Sequence, residues 1–393
     1  MNKYDRSFFD RGVERRGTAC EKWDGITRRL GHDVLPMWVA DMDFACADEI
    51  MDAVRQRAMH PVFGYTDYTD QCTQALLGFL RRRHGLTLQP EHHAMLPCVI
   101  TGLKTAVLTM TQPGDGVIVQ PPVYGPFYSS VRDNGRKLME CPLHRDEQGY
   151  YTMDLSSVEE ALRGGAKLML LCNPQNPAGR AWTQQELTDL WQLLERYGCA
   201  LVSDEIHMDF VLGDKPFVSI LSVARGEADR VAALTSASKT FNLAGLQQAS
   251  LLCRNKDMLA AMKKQMSCAG VTQGNVFAMV ATEAAHLYGD AWLDGMLDYL
   301  REAYRLLAAE LAKRLPEAVL TPLEATYLAW IDLRAYGFSP EELVKRTNDH
   351  GVVFTEGTFF GKETGAGFLR MNIACPHSHT LEAVKRLEAA IKA

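Results

Sequence analysis

Between about residue 95 and residue 255, short apolar runs alternate with amphipathic stretches, the pattern of a parallel sheet covered by helices on both faces. The runs at 116–120 (GVIVQ), 136–141, 167–172 (KLMLLC), 199–203, 230–235 (RVAALT) and 248–253 predict strands. Between two of them, Leu187, Leu190, Trp191, Leu194 and Tyr197 fall at offsets 0, 3, 4, 7 and 10, one face of a helix over 184–198. Such units cross over right-handed, and open sheets of this kind take ligands beyond the carboxyl ends of their strands. Chemistry is therefore expected in the residues that follow strands. After about residue 290 the pattern changes to a long helix (290–314), a strand-like ATYLAWIDL (325–333), a helix near 339–349, FLRMNI (368–373) and a terminal helix from about 379. This predicts a smaller α+β part, and with no low-complexity linker between them the two parts are expected to share a cleft.

Composition narrows the class. With 393 residues, 47% hydrophobic and 23% charged, the chain is long enough for a large core, which excludes disorder, collagen-like repeats and a disulfide-stapled miniprotein. Lys and Arg number 42 against 48 Asp and Glu, a net charge of −6, so no basic excess points to nucleic acid or to an anionic membrane surface. The first residues, MNKYDRSFFDRGVERRG, lack an apolar signal-peptide region, and no run approaches the ~20 apolar residues of a membrane span. A cytoplasmic protein is expected. None of the 10 cysteines is spaced Cys-x-x-Cys, and most sit beside apolar residues, which suits reduced, buried thiols.

Three strand ends carry candidate chemistry. In LLCNPQNPAGR (170–180) a buried strand runs into two Asn-Pro pairs; in ALVSDEIHMDF (200–210) Asp204 and Glu205 end a very apolar strand; in LTSASKTFNLAGLQ (234–247) Lys239 lies in a turn of small residues. Each has a plain alternative: an ordinary surface lysine, a helix N-cap, a turn. Their joint occurrence, in order, on strand ends of one parallel sheet favours a shared site. A lysine desolvated among small residues is a candidate Schiff-base nucleophile. A neighbouring carboxylate could keep a heteroaromatic nitrogen protonated, and serine hydroxyls with backbone N–H groups could cradle a phosphate. Those requirements together describe pyridoxal 5'-phosphate (PLP).

With these motifs in place the chain resembles the fold-type I PLP enzymes of the aminotransferase class I/II superfamily, and within it the MalY/PatB group of cystathionine β-lyases, which are carbon–sulfur lyases. The resemblance runs nearly end to end through KWD (22–24), LPMWVADMDFA (35–45), HPVFGY (60–65), PPVYGPF (121–127), LCNPQNPAGRAWT (171–183), SDEIHMD (203–209), SASKTFNLAGLQ (236–247), ATYLAWIDLR (325–334) and GFLRMNIACP (367–376). It implies an α/β chain in which a large domain (46–290), built on a mainly parallel seven-stranded sheet between helices, joins a smaller α+β domain formed by 1–45 and 291–393.

Carried onto this sequence, the resemblance implies that Lys239 bonds the cofactor and moves protons, that Asp204 pairs with the ring nitrogen, that Tyr124 stacks on the ring and that Asn176 bonds the ring hydroxyl oxygen. Phosphate contacts fall to Ser236, Ser238 and the backbone of Val99 and Ile100, with Tyr65 reaching in from the other subunit of a homodimer. Arg370 grips the substrate α-carboxylate, and Trp38 with Met37 lines the cleft. The activity implied is α,β-elimination of L-cystathionine or a related S-substituted cysteine to a thiol, pyruvate and ammonia, with methionine biosynthesis as its setting. The alternatives are a class I/II aminotransferase and a PLP-binding regulatory protein with secondary lyase activity. Two positions depart from the broader superfamily: Gln247 stands where an arginine is common eight residues after the lysine, and His207 where a tyrosine is common three after the aspartate. His207 is expected to be structural, under the cofactor. His92-His93 and His377-x-His379 lack a matching ligand set, so no metal is expected and solvated loops are favoured for them. The run Arg81 to Arg83 is read as a charged helix face and dipole complement. All 10 cysteines are expected to be bystanders, the sulfur chemistry being the substrate's.

Overall fold

The computed structural model describes residues 3–393. Every residue of strands Gly116–Val119, Ala200–Asp204, Val231–Thr235 and Ala249–Leu252 is buried, so both sheet faces are covered and the strands read as unbroken apolar runs. They belong to one seven-stranded sheet in the order 93–96, 249–252, 231–235, 200–204, 166–172, 116–119, 137–140. Strand 249–252 is antiparallel to both its neighbours; the remaining pairs are parallel. Alternation along the strands sorts two cores: Val117, Leu168, Leu170 and Val202 face one, Ile118, Met169, Leu171 and Leu201 the other. Within this sheet, the strand absent from the sequence expectations is the edge strand His93–Leu96, whose partly buried alternation is short and contains a histidine.

The helix expected over 184–198 spans Gln184–Arg196, opened by a capping box between Thr183 and Glu186. The long helix spans Asp290–Arg314 and buries Trp292, Leu293, Met296, Leu300 and Leu307 against the N-terminal residues Phe9 and Phe44 and a second sheet. That antiparallel sheet has the order 319–320, 328–332, 368–372, 355–356. Leu35–Pro36 pairs in parallel with Val352–Val353, and the following strap, residues 37–44, runs on beside Asn372 and Ala374 and meets the Lys239 turn at Asn242.

The strap is anchored by a buried charge cluster. Lys22 Nζ donates to Asp43 Oδ2 at 2.9 Å, Trp23 Nε1 to Asp43 Oδ1 at 3.1 Å and Arg15 Nη1 to Asp43 Oδ1 at 2.9 Å. Arg15 Nη2 also donates to Asp41 Oδ2 at 2.7 Å. Lys22 and Asp43 are 1% and 2% exposed, so Asp43→Ala strands buried donors and is expected to cost about 3–5 kcal/mol, read by thermal or urea unfolding. A loss below about 1 kcal/mol contradicts the anchoring.

The histidines are not in solvated loops. His92 is buried, and His93, on the edge strand, pairs with Thr73 Oγ1 at 3.2 Å and Ser250 Oγ at 3.1 Å; burial pushes it down to about 4. His377 is buried with its ring stacked on Tyr299 at 3.9 Å, and His379 lies half-buried near Trp23. Ring stacking and hydroxyl partners, invisible in a polar-looking sequence, draw them in. No cluster of three or more potential metal ligands occurs among the described residues. Arg82 and Arg83 pair with Asp290 and Asp294 of the long helix, at 2.6 and 2.7 Å.

Candidate active site

The parallel register sets Cys172 beside Asp204 and Asp204 beside Leu234, so the three strand ends lie along one rim. Period two then separates the adjacent acids. Asp204 Oδ1 accepts from Ile206 N at 3.1 Å and lines the cavity beyond the rim, whereas Glu205 Oε1 accepts from Ile220 N at 2.8 Å and serves the fold. Lys239 sits in the single turn Ala237–Thr240, capped by Ser236, whose Oγ accepts from Ser238 N at 3.0 Å. The turn is held from below by buried Asp209, which accepts from Thr240 Oγ1 at 2.6 Å and pairs with His84 Nε2 at 2.6 Å. It is held from the side by Asn242, at φ 60°, whose side chain bonds Met42 N, Met42 O and Phe44 O of the strap, each at 3.0 Å.

These elements enclose a cavity of about 160 Å³. Its walls include Val99, Ile100, Tyr124, Asn176, Asp204, His207, Ser238 and Lys239. Five other sequence-expected residues stand differently. Ser236 lies behind Ser238, bonded to its hydroxyl at 2.7 Å. Trp38 contributes its carbonyl, while its ring lies under Arg29 at 4.6 Å, and neighbouring Met37 is buried in the core. Arg370 is fully buried against Asn176: Nη1 donates to Asn176 Oδ1 at 3.1 Å, and Nη2 donates to Trp38 O at 2.8 Å and Thr355 Oγ1 at 3.1 Å. Tyr65 is 94% exposed and absent from the walls of its own chain's cavity. Larger hollows of about 460 and 540 Å³ lie near Arg16 and His379 and near Arg57 and Tyr288, away from this constellation.

Burial sets the electrostatics. It pushes the Lys239 ammonium down to about 8, against Asp41 and Asp204, which favour the charge, and with Arg370, which opposes it. It pushes Asp204 up to about 7, offset by the Ile206 N–H and Lys239. It pushes His207 down to about 3, so the ring is neutral, and Nδ1 has no hydrogen-bond partner. It pushes Arg370 down to about 10; Nε is without a hydrogen-bond partner, and the acceptors of its other nitrogens are neutral. The site thus holds an easily deprotonated amine, a carboxyl raised by burial and a guanidinium bonded to neutral acceptors.

Sequence reasoning missed several wall and support residues: Ala40, Gln248, Thr355, and also Cys98 and Cys172. The two cysteines reach the wall because strand 166–172 ends on one and helix Val99–Met110 follows the other. No local signal distinguished them from other thiols beside apolar residues.

Residues 32–387 match the family described as aminotransferase class I and II. The chain belongs to that family. Among relatives in the aminotransferase class I and II family, it is 38% identical to cystathionine beta-lyase PatB of Bacillus subtilis (strain 168), over 98% of this chain and 99% of that protein. It is 35% identical to protein MalY of Escherichia coli (strain K12), over 98% and 99%. The crystal structure of the PLP-bound C-S lyase from Staphylococcus hominis superposes with a TM-score of 0.90 at 30% identity, covering 98% of each chain. The large sheet between helices, joined to a smaller antiparallel sheet, is the fold-type I architecture of these neighbours.

Proposed function

We propose that this protein is a PLP-dependent carbon–sulfur β-lyase that eliminates a thiol, such as homocysteine, from L-cystathionine or a related S-substituted cysteine, leaving pyruvate and ammonia. The observation that carries the reading is the fit of one buried cavity to the cofactor and an amino acid together: a desolvated lysine, a carboxyl raised by burial, and an arginine facing no carboxylate. Names and activities of the relatives support it.

When bound, PLP supplies an electron sink that holds the pair left at Cα once its proton is removed. The chain's residues do the rest. Lys239 Nζ is the point of attachment and, when released, the base that takes the Cα proton. Asp204 holds a proton on the ring nitrogen by charge. Tyr124 covers the ring, and Asn176, whose Oδ1 serves Arg370, has its Nδ2 left for the ring oxygen. Ser238, backed by Ser236, and the N–H groups of Val99 and Ile100, at a helix start without a side-chain cap, would receive the phosphate. Neutral His207, in the cavity wall, would pack against the cofactor, and Arg370, steadied by Thr355 and Trp38 O, would receive the substrate carboxylate. Trp38 holds this place by its backbone.

A second copy of the chain completes the proposed site as a homodimer through Tyr65, which stands with exposed Met59, Val62 and Phe63 on one segment, away from its own cavity. Residues 46–290 and the combined segments 1–45 and 291–393 are the proposed domains, the second supported by the pairing of Leu35–Pro36 with Val352–Val353. A cytoplasmic location is proposed, supported by ten cysteines without a disulfide. No helix among the described residues is long and apolar enough to cross a membrane.

The test is release of thiol and pyruvate from L-cystathionine, cysteine and bulkier S-conjugates by the purified protein with PLP and no added keto acid. Turnover of at least one is expected. Stoichiometric conversion of the cofactor to pyridoxamine phosphate without thiol release overturns the lyase reading in favour of transamination.

A further inference from the structure

The segment ATYLAW places a β-branched residue where such residues are rarely found. Thr326 has φ 74°, the left-handed region, and is fully buried, with its N–H bonded to Phe210 O at 2.9 Å. Backbone held there persists when its surroundings over-determine it, and such positions cluster at functional sites. The strained residue presents its neighbour, Tyr327, toward the active site. Tyr327 is fully buried, its ring set edge-on to Phe210 at 4.8 Å and to His207 at 5.8 Å. Its hydroxyl donates to the carbonyl oxygen of Ala40 at 3.0 Å, the same oxygen that accepts from Lys239 Nζ at 2.6 Å.

A carbonyl oxygen has two lone pairs, and here each has a donor. Asn372 fixes the carbonyls on either side, donating to Val39 O and Asp41 O at 2.6 Å each, so Ala40 O is oriented by its neighbours as well as by Tyr327. An amine that donates one N–H to Ala40 O has its own lone pair turned away from that carbonyl, and after gaining a proton it keeps the same acceptor. Burial holds the Tyr327 phenol above its ordinary range, so its hydroxyl stays a donor throughout.

We propose that the Ala40 carbonyl, aimed by Tyr327, is the dock of the Lys239 amine while it carries protons, and that Tyr327 is a positioning residue for that step. This rests on the proton-carrying role proposed for Lys239. Because the dock serves the released amine, it acts on proton transfer and not on cofactor attachment.

The experiment follows deuterium uptake at Cα of L-alanine, which has no leaving group on Cβ, in holoenzyme normalised to bound cofactor. Tyr327→Phe is expected to slow uptake about tenfold, since small misplacements of a reacting group have effects of this size. On a sulfur substrate, kcat falls with KM unchanged, and the isotope effect of Cα deuteration on kcat rises. The absorbance of the lysine-bound cofactor and its pH titration stay where they are. Uptake equal to wild type overturns the proposal. So does a fall matched by a displaced absorbance titration, the mark of a general structural role. Should Tyr327→Phe fail to hold cofactor, Thr326→Gly is read instead: it keeps the hydroxyl but loosens its aim, and uptake equal to wild type again overturns the dock. If the wild-type protein neither exchanges nor eliminates, the lyase reading itself fails, and the role of Tyr327 with it.

Discussion

Lys239→Ala is expected to lower thiol release at least about 10³-fold and to abolish the absorbance of lysine-bound cofactor. The size of the loss follows from what else lines the cavity. His207 is neutral but, pushed down to about 3, is too weak a base. Asp204 has the ring nitrogen as its proposed partner, and burial pushes the Cys172 thiol far up. Lys239, down to about 8, is the wall residue that can be a free amine in part at neutral pH and still hold a proton once it has taken one. Lys239→Arg separates chemistry from charge: it keeps a cation at the same turn yet is expected to be as inactive as the alanine variant. Assays of both variants with PLP in excess check this, and more than about a hundredth of wild-type turnover in either removes Lys239 from the mechanism.

Much of the large sheet was legible because its strands are buried on both faces and therefore appear as apolar runs, and because a parallel topology says which ends carry ligands. Lys239, Asp204 and Asn176 could be found on that logic. The edge strand His93–Leu96 could not, since its solvent-side alternation is short. Ala40 was hidden for a different reason: it contributes a carbonyl, and a backbone group leaves no trace in side-chain pattern. Thr355 and Tyr327 reach the site through side-chain hydrogen bonds made across the fold, each on a residue that reads as ordinary sheet or core. The histidines show the converse, polar letters whose burial is decided by partners such as Tyr299 and Ser250, far away in sequence.

Asp204→Asn is expected to lower kcat about 10²–10³-fold while leaving the lysine linkage intact, because it preserves shape and removes the charge opposite the ring nitrogen. Its effect on stability changes sign with occupancy. In cofactor-free protein the Asp204 carboxyl, ordinarily near 4 when unfolded, is pushed up to about 7 by burial, so the fold favours the protonated form. Its stabilising contribution is then fully present below about pH 4 and lost as pH rises through about 7, where the buried carboxyl ionises and Lys239, down to about 8, is beginning to lose its own charge. Cofactor-free Asp204→Asn should accordingly melt higher than cofactor-free wild type at pH 8, and the advantage should vanish toward pH 4. With cofactor bound, a protonated ring nitrogen supplies a cation and the order reverses: wild type gains more in melting temperature from PLP at pH 8 than the variant does. Glu205, also pushed up to about 7 but facing Ile220, adds the same slope to every form of the protein and cancels in the comparison. Equal gains from PLP in both proteins at pH 8 would show that Asp204 does not face the ring nitrogen.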